Sequence, residues 1–358
     1  MDETDRTIRF GDDGTCSHCG AAQVGFEKLR ARHDPSDSAL GALVARIKAA
    51  GAGKPYDAVL GLSGGVDSSY VAWLAHTHGL RVLAVHMDNG WNAEVAVSNI
   101  RGIIDRCGFA LDTVVIDWPE FRDLQRAFIL AGVVDIEMLT DHAISGALKR
   151  TAIRHRASYI LSGTNYATEH GMPVGWTWNK QDLVNIRDIH RRFGKLPLLT
   201  FPQMGLVRSV LQSQFDHGAR VVAPLDLVPY RRDRAMAALA AETGWRNYGA
   251  KHHESAFTKF YQSYILPLKF GIDKRKPHLS ALIRNGEITR DGALRALAQP
   301  AYAPADAARD KVFVLKKLGF SEAEFDRLMA APAVPHDSYR SDRKVRLVLR
   351  WLMDRVSK

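Results

Sequence analysis

Cysteine is nearly absent: three residues in 358 cannot supply a disulfide framework, so a hydrophobic core must hold this fold. No run of eighteen apolar residues exists, which excludes a membrane-spanning helix, and the acidic start MDETDR is no signal peptide. A cytoplasmic protein without membrane insertion is the expectation. The lysine-bearing nucleotide loop G-x-x-x-x-G-K-[ST] is missing too, so any phosphate site must be built in another way. Acidic side chains are in deficit, 39 Asp and Glu against 49 Lys and Arg, which leaves a net charge of +10. That excess would suit a nucleic acid and equally an anionic nucleotide, so charge does not choose between them. The remaining composition, 25% charged and 46% hydrophobic, is ordinary for a globular protein of two domains, or one large domain with appendages.

What is present centres on Asp57 to Tyr70, DAVLGLSGGVDSSY. Ala58 to Leu62 is a short apolar run that fits one buried central strand. Ser63-Gly64-Gly65-Val66-Asp67-Ser68 follows directly, and Tyr70, Val71, Trp73 and Leu74 then begin a helical period. Strand, glycine turn and helix together make a phosphate cradle. Two consecutive glycines let the backbone approach an anion closely. The first amides of the new helix and its dipole favour negative charge there. Ser63 and Ser68 add hydroxyl donors, and Asp67 is the expected ligand for a Mg²⁺ held on phosphate oxygens.

Before the loop, Cys16-Ser-His-Cys19 is half a zinc knuckle, since tetrahedral zinc wants four ligands; ordinary reduced thiols are the other reading. Residues 26–55 read as one linking helix carrying Leu40, Leu43, Val44 and Ile47, ended by Gly51-Ala-Gly53. After the loop, strands are expected at Arg81–Met87, Leu111–Ile116, Ser158–Ser162 and Val221–Ala223, with helices between them, one of them from about Glu137 to Arg156. That alternation predicts an α/β fold with a doubly wound parallel sheet, whose ligands bind beyond the carboxyl ends of the strands. The rule nominates the loop at 63–68, His86-Met87-Asp88-Asn89, Asp117 and Gly163-Thr164-Asn165. Residues 165–218 show little period and read as a substrate loop, in which Trp176 and Trp178 either meet substrate or anchor the core. From about 226 the chain reads as all helical. Its clusters Lys251-His252-His253-Glu254 and Asp273-Lys274-Arg275-Lys276 either line the active site or form solvated faces, and no aromatic interleaving marks a nucleic-acid platform. The expected divisions are 1–25 (Cys motif), 26–55 (linking helix), 56–225 (nucleotide domain) and 226–358 (helical region).

The string SGGVDSS resembles the pyrophosphate loop of the PP-loop ATP-pyrophosphatases, which have a Rossmann-like fold of the HUP class. Further stretches resemble one branch, the N-acetyl sugar amidotransferases of bacterial surface-polysaccharide and lipopolysaccharide biosynthesis. They are FGDDGTCSHC (10–19), LGLSGGVDSSY (60–70), VHMDNGWN (85–92), WPEFRDLQRAF (118–128), TDHAI (140–144), LSGTNYATE (161–169) and KHHESAFTKFYQSYILPLKFGIDKRKPHLS (251–280). The resemblance implies an ATP-dependent enzyme that turns a sugar acetamido group into an acetamidino group through an adenylated intermediate. Its substrate would be a UDP-linked N-acetyl sugar. Ammonia would come from a class I glutaminase subunit of the HisH type, with a HisF-like barrel as a further partner. It implies ATP binding by Gly61, Ser63, Gly64, Gly65, Val66, Asp67, Ser68, Met87, Asp88, Gly163 and Thr164, with Mg²⁺ on Asp67. Catalytic candidates are Asp67, Lys251, His252, His253 and Glu254; substrate candidates are Asp141, His142, Glu169, Trp176 and Lys274. The family begins with another C-x-x-C pair just before the position of Met1, which with Cys16 and Cys19 would complete a four-thiolate zinc site. The sequence as given supplies two of those ligands, so the expectation is an upstream start or a lost site.

Two other readings compete. A tRNA-modifying PP-loop enzyme, a thiolase or lysidine synthetase, would also use adenylation and positive charge, but a thiolase needs reactive cysteines and the core holds only Cys107. A non-catalytic nucleotide-binding module would not require the carboxylates of Asp67 and Asp88.

Overall fold

The computed structural model describes residues 1–31, 38–205, 219–249 and 254–356. Apolar runs become buried parallel strands: β1 Ala58–Gly61, β2 Val82–Asp88, β3 Ala110–Val115, β4 Tyr159–Leu161 and β5 Arg220–Val222. The order β3-β2-β1-β4-β5 is parallel throughout, with Val59 opposite both Leu83 and Ile160. Progression is outward from β1 to β3 and then returns to the other side of β1. The strand order therefore reverses between β1 and β4, which opens the crevice where doubly wound sheets bind ligands. The loops after these two strands are 62–65 and 162–165, so the nominated turns stand side by side.

Both faces are covered. Helices α2 (Ser38–Ala50), α3 (Val66–Thr77) and α4 (Glu94–Cys107) bury Leu43, Ile47, Val71, Ile100 and Ile103 against Leu60 and Leu161. On the opposite face α6 (Met138–Arg154) lies on β1, β2 and β4, with Ala152 among Val59, Leu83, Val85 and Ile160. A third core joins α5 (Trp118–Ala131) and α8 (Leu183–Phe193) to the C-terminal helices Ala256–Phe260, Leu266–Phe270, Pro304–Leu318 and Glu322–Ala330. Among the described residues, no helix is long and apolar enough to cross a membrane.

Two boundaries differ from the sequence expectation. The linking helix over 26–55 is two helices, because α1 (Ser17–Arg30) and α2 serve different partners: Ala22, Phe26 and Leu29 pack on Tyr166, whereas Leu40 to Ile47 pack on the sheet layer. The division at 225 does not part sheet from appendage either. Helix Arg232–Thr243 packs on α3 and α4, burying Ala235 and Leu239 with Trp245 in the same core, so the chain to about 249 belongs with the sheet.

Candidate active site

The loop after β1 has the backbone that its glycines permit. Gly64 takes φ +81°, and a Cβ there would stand 2.4 Å from the Ala96 carbonyl oxygen, so only glycine fits. Its own carbonyl accepts from Trp245 Nε1 (3.0 Å) and Asn99 Nδ2 (3.3 Å), which pins the turn against α4 and residues 245–246. Gly65 caps α3, whose first turn brings Asp67 and Ser68 to the opening. Within the turn, Ser63 Oγ meets Ser68 Oγ at 3.1 Å and accepts from the Gly65 amide at 3.2 Å. The Val66 amide donates to Tyr248 Oη at 3.3 Å, and Tyr230 donates its hydroxyl to Asp67 Oδ1. Burial first and Glu254 second raise the Tyr248 phenol; burial and Asp67 raise that of Tyr230, so both stay protonated. Gly163 completes the cradle, since a Cβ on it would lie 2.8 Å from the Ser68 amide nitrogen.

These parts open onto a cavity of about 400 Å³, within the range of small-molecule sites. Its wall holds Gly61, Ser63, Gly65, Val66, Asp67, Ser68, Met87, Gly163, Thr164, Asp141, Glu169 and Glu254 from the candidate set. First-turn amides of α3, two serine hydroxyls and a carboxylate fit a nucleotide phosphate chain with its magnesium ion. The geometry thus fits both ATP and Mg²⁺, with Asp67 the residue suited to hold the metal. Residues 91–93 and 254–256 form an antiparallel bridge, Ala93 N to Glu254 O at 2.9 Å and Ala256 N to Trp91 O at 2.8 Å. That bridge carries Glu254, Ser255 and Thr258 from the C-terminal region into the cavity wall.

Other candidates serve the scaffold. Asp88 Oδ1 accepts from the Gly90 amide (2.8 Å) and Asn92 Nδ2 (3.1 Å), fixing the turn after β2, and it does not line the cavity. Asn92 Nδ2 also reaches His86 Nε2 at 3.0 Å, and His86 Nδ1 lies 3.1 Å from the Leu62 carbonyl, so both ring nitrogens are taken up by the scaffold. Asp117 caps α5 through the Glu120 amide at 3.0 Å. His142 is buried between the Lys180 carbonyl (2.9 Å) and the Met204 amide (3.1 Å), and burial lowers its pKa. Trp176 is 4% exposed in the third core, an anchor and not a substrate contact. Lys251, His252 and His253 lie outside the described residues. The nominated substrate loop is largely packing over 165–205: Lys180 bonds Asp135 at 2.7 and 2.8 Å, and Asp182 caps α8; 206–218 lie outside the described residues.

An ionic cluster backs the cavity wall. Lys180 also meets Asp141 at 3.2 Å; burial alone would lower its pKa, but the two carboxylates outweigh that and raise it. Lys274 is buried beside the same acids, 5.6 Å over the Tyr261 ring, and burial lowers it. It does not line the cavity. Glu137, at the start of α6, does line it and accepts from Thr258 Oγ1 at 2.8 Å. Burial and then Asp141 push its pKa up to about 7. Sequence reading placed Glu137 only as a helix start and missed Tyr230, Tyr248, Ser255 and Thr258, whose roles depend on contacts far along the chain.

Cys16 and Cys19 stand at the start of α1 with Sγ atoms 3.5 Å apart. Among the described residues no third His, Cys, Asp or Glu joins them into a metal-holding group, and His18 bonds Asp5 at 2.6 Å. Burial would raise the Cys19 pKa; hydrogen bonding with Cys16 and the Arg284 guanidinium outweigh it and lower the value. A second cavity of about 390 Å³ lies between α1 and the turn after β4, sharing Thr164 and Glu169 with the first.

Comparison with known proteins matches both parts of this site. Residues 57–198 match the family described as Queuosine biosynthesis protein QueC, and residues 254–353 match LPS biosynthesis protein WbpG-like, C-terminal domain. No curated protein sequence matches the chain. Among solved structures, NMN synthetase from Francisella tularensis superposes with a TM-score of 0.36 at 13% identity, over 73% of this chain and 97% of that one. The NH3-dependent NAD synthetase from Campylobacter jejuni subsp. jejuni NCTC 11168 gives 0.33 at 15% identity, over 79% and 95%. The U34-tRNA thiolase NcsA from Methanococcus maripaludis gives 0.32 at 13%, over 74% and 85%. Likenesses this distant assign no reaction.

Proposed function

We propose that this chain, which joins a PP-loop ATP-pyrophosphatase-type domain to a WbpG-like C-terminal domain, is an AMP-forming amidotransferase acting on a nucleotide-linked N-acetyl sugar. The observation that supports this reading is that one cavity is walled by both parts: Ser63, Asp67 and Ser68 from the first, Glu254, Ser255 and Thr258 from the second. The first part is suited to a triphosphate. The second, matching a lipopolysaccharide-biosynthesis family, would select the sugar acceptor.

An amide carbonyl is a poor electrophile until its oxygen becomes a leaving group. In the proposed reaction the acetamido oxygen attacks the α-phosphorus of ATP, and pyrophosphate departs into the loop. Ammonia from a glutaminase subunit, of class I and working with a barrel-shaped partner, then adds to the activated carbon. AMP leaves with the former amide oxygen, giving the acetamidine. The α3 amides and the Ser63 and Ser68 hydroxyls would hold the departing pyrophosphate. Magnesium, when bound, would neutralise charge developing on the phosphates. Tyr230, donating to Asp67, and Tyr248, accepting from the Val66 amide, hold Asp67 and the α3 N-terminus in place.

The thiolase reading finds less support. Cys107 is buried in the α4 face, where burial pushes its thiol up to about 11 and leaves little thiolate. The test is direct. Purified protein with ATP, MgCl2 and ammonium chloride is given UDP-linked acetamido sugars in one arm and tRNA in the other. AMP and pyrophosphate release with the sugar, together with exchange of one sugar oxygen for NH by mass spectrometry, supports the proposal. Pyrophosphate release driven by tRNA alone overturns it.

A further inference from the structure

Five carboxylates line the cavity among the described residues: Asp67, Glu137, Asp141, Glu169 and Glu254. Three have partners that the geometry explains, and a fourth, Glu254, lies against the phosphate loop. Asp67 is held by Tyr230 in the phosphate loop, and Glu254 stands beside it, its Oε1 3.2 Å from where a Gly65 Cβ would be. Glu169 accepts from the Asn165 amide at 3.3 Å in the turn after β4. Asp141 is paired with Lys180 at 3.2 Å. Glu137 differs. Among the described residues it forms no ion pair, and its Oε2 accepts from one neutral hydroxyl, Thr258 Oγ1 at 2.8 Å. It is partly exposed, and it lines the cavity.

The groups around it come from four parts of the chain. Asp141 is one turn along α6, and Asp135 precedes the helix. Lys180 comes from the segment before α8 and is taken up by those two acids. Lys274 and Tyr261 come from the C-terminal helices, and Thr258 from helix Ala256–Phe260. Among the described residues, a carboxyl group in this setting has no directly paired counter-charge, so it can take up and release a proton near neutral pH. Thr258 holds its orientation from the part of the chain that matches the sugar-related family.

We propose that Glu137 is the group that takes a proton from the attacking ammonia nitrogen. This rests on the amidine-forming reaction proposed above. The ammonia lone pair forms the new C–N bond to the O-adenylated acetamido carbon, leaving a positive charge on that nitrogen. One N–H proton passes to the Glu137 carboxylate. The remaining lone pair then forms the C=N bond as the C–O bond to AMP breaks, and the electron pair leaves with AMP. The product departs as an amidinium ion, and Glu137 returns its proton to solvent. The carboxylate form is the working one, so the rate of amidine formation rises with pH through the Glu137 titration. Raised by burial and Asp141 and lowered by Thr258, Lys274 and Lys180, that titration falls near neutrality.

Glu137→Gln tests this, because the amide keeps an acceptor for Thr258 and the side-chain volume while losing the base. Sugar-dependent exchange of labelled pyrophosphate into ATP reports the adenylation half, and amidine formation from ammonium reports the second half. The expected result is retained exchange with amidine formation about 100-fold slower, as loss of a general base costs. With total ammonium adjusted to hold free NH3 constant at each pH, the rising limb should disappear, and Glu137→Asp should recover part of the rate. Amidine formation by folded Glu137→Gln at the wild-type rate, with the same pH limb, overturns the assignment. Loss of exchange in that folded variant overturns it too, since the residue would then serve adenylation. Absence of exchange in the wild-type protein overturns the sugar reading, and this inference falls with it.

Discussion

Adding a single methyl group at Gly64 should disable nucleotide binding without unfolding the protein. Two costs apply, and a second glycine separates them. Gly64 at φ +81° and Gly53 at φ +72° both lie in the left-handed region, so alanine pays about 1–2 kcal/mol at either. Around Gly53 nothing lies within 4 Å of the added carbon, whereas at Gly64 it meets the Ala96 carbonyl oxygen at 2.4 Å. Real Cβ contacts do not fall below 3.0 Å, so loop and α4 must separate by at least 3.0 − 2.4 = 0.6 Å. That movement strains the bonds from Trp245 and Asn99 to the Gly64 carbonyl and shifts every donor in the cradle. Displacements approaching an ångström cost about 100-fold in aligned sites, equivalent to about 2.7 kcal/mol of ligand stabilisation. The assay is thermal unfolding of wild type, Gly53→Ala and Gly64→Ala with and without Mg-ATP, since a ligand protects the native state in proportion to affinity. Gly53→Ala should lose a little stability and keep full ATP protection. Gly64→Ala should remain folded and lose most of that protection. Equal ATP protection in both variants would refute the assignment of the loop as the phosphate cradle.

Glu137 makes a prediction about stability as well as rate. A carboxyl whose native pKa, about 7, exceeds its ordinary 4.5 holds its proton more tightly when folded. Its contribution is therefore fully present below about pH 4.5 and is lost as pH rises through 7. Glu137→Gln removes the cost of ionising that group, so at pH 8 the variant should be more stable by up to about 3 kcal/mol, and at pH 4 nearly equal to wild type. Urea unfolding at the two pH values checks this, and a variant no more stable at pH 8 refutes the burial argument. Lys180→Met strips the counter-charge from Asp135, which is 0% exposed and receives Lys180 at 2.7 Å. Lys180 is itself about one-third exposed, so the expected loss is about 2–3 kcal/mol, less than for a fully buried pair. Lys180→Met with Asp135→Asn should recover most of it, and a double variant no better than the single would show that the charge was not the cause.

The chain's local sequence determined a good deal. The run Ala58 to Leu62, the glycine pair and the helix after it specified strand, turn and helix, because periodicity and glycine's left-handed freedom are local properties. Alternating apolar segments likewise specified a parallel sheet, and the rule of strand carboxyl ends led to Gly163, Thr164 and Met87 on the cavity wall. Tertiary structure alone decided which polar residues line the cavity and which serve the scaffold. Asp88, His142, Trp176 and Asp182 carry the residue types of a site, yet each is spent on a turn, a buried bond, a core or a helix cap. Glu137 carries no motif. What sets it apart is that Thr258, 121 residues further on, meets it at the cavity while Lys180 is drawn to other acids. Local sequence encodes propensity over a few residues. The proton affinity of a carboxyl depends on burial and on which charges the whole fold brings within reach, and no local pattern records that.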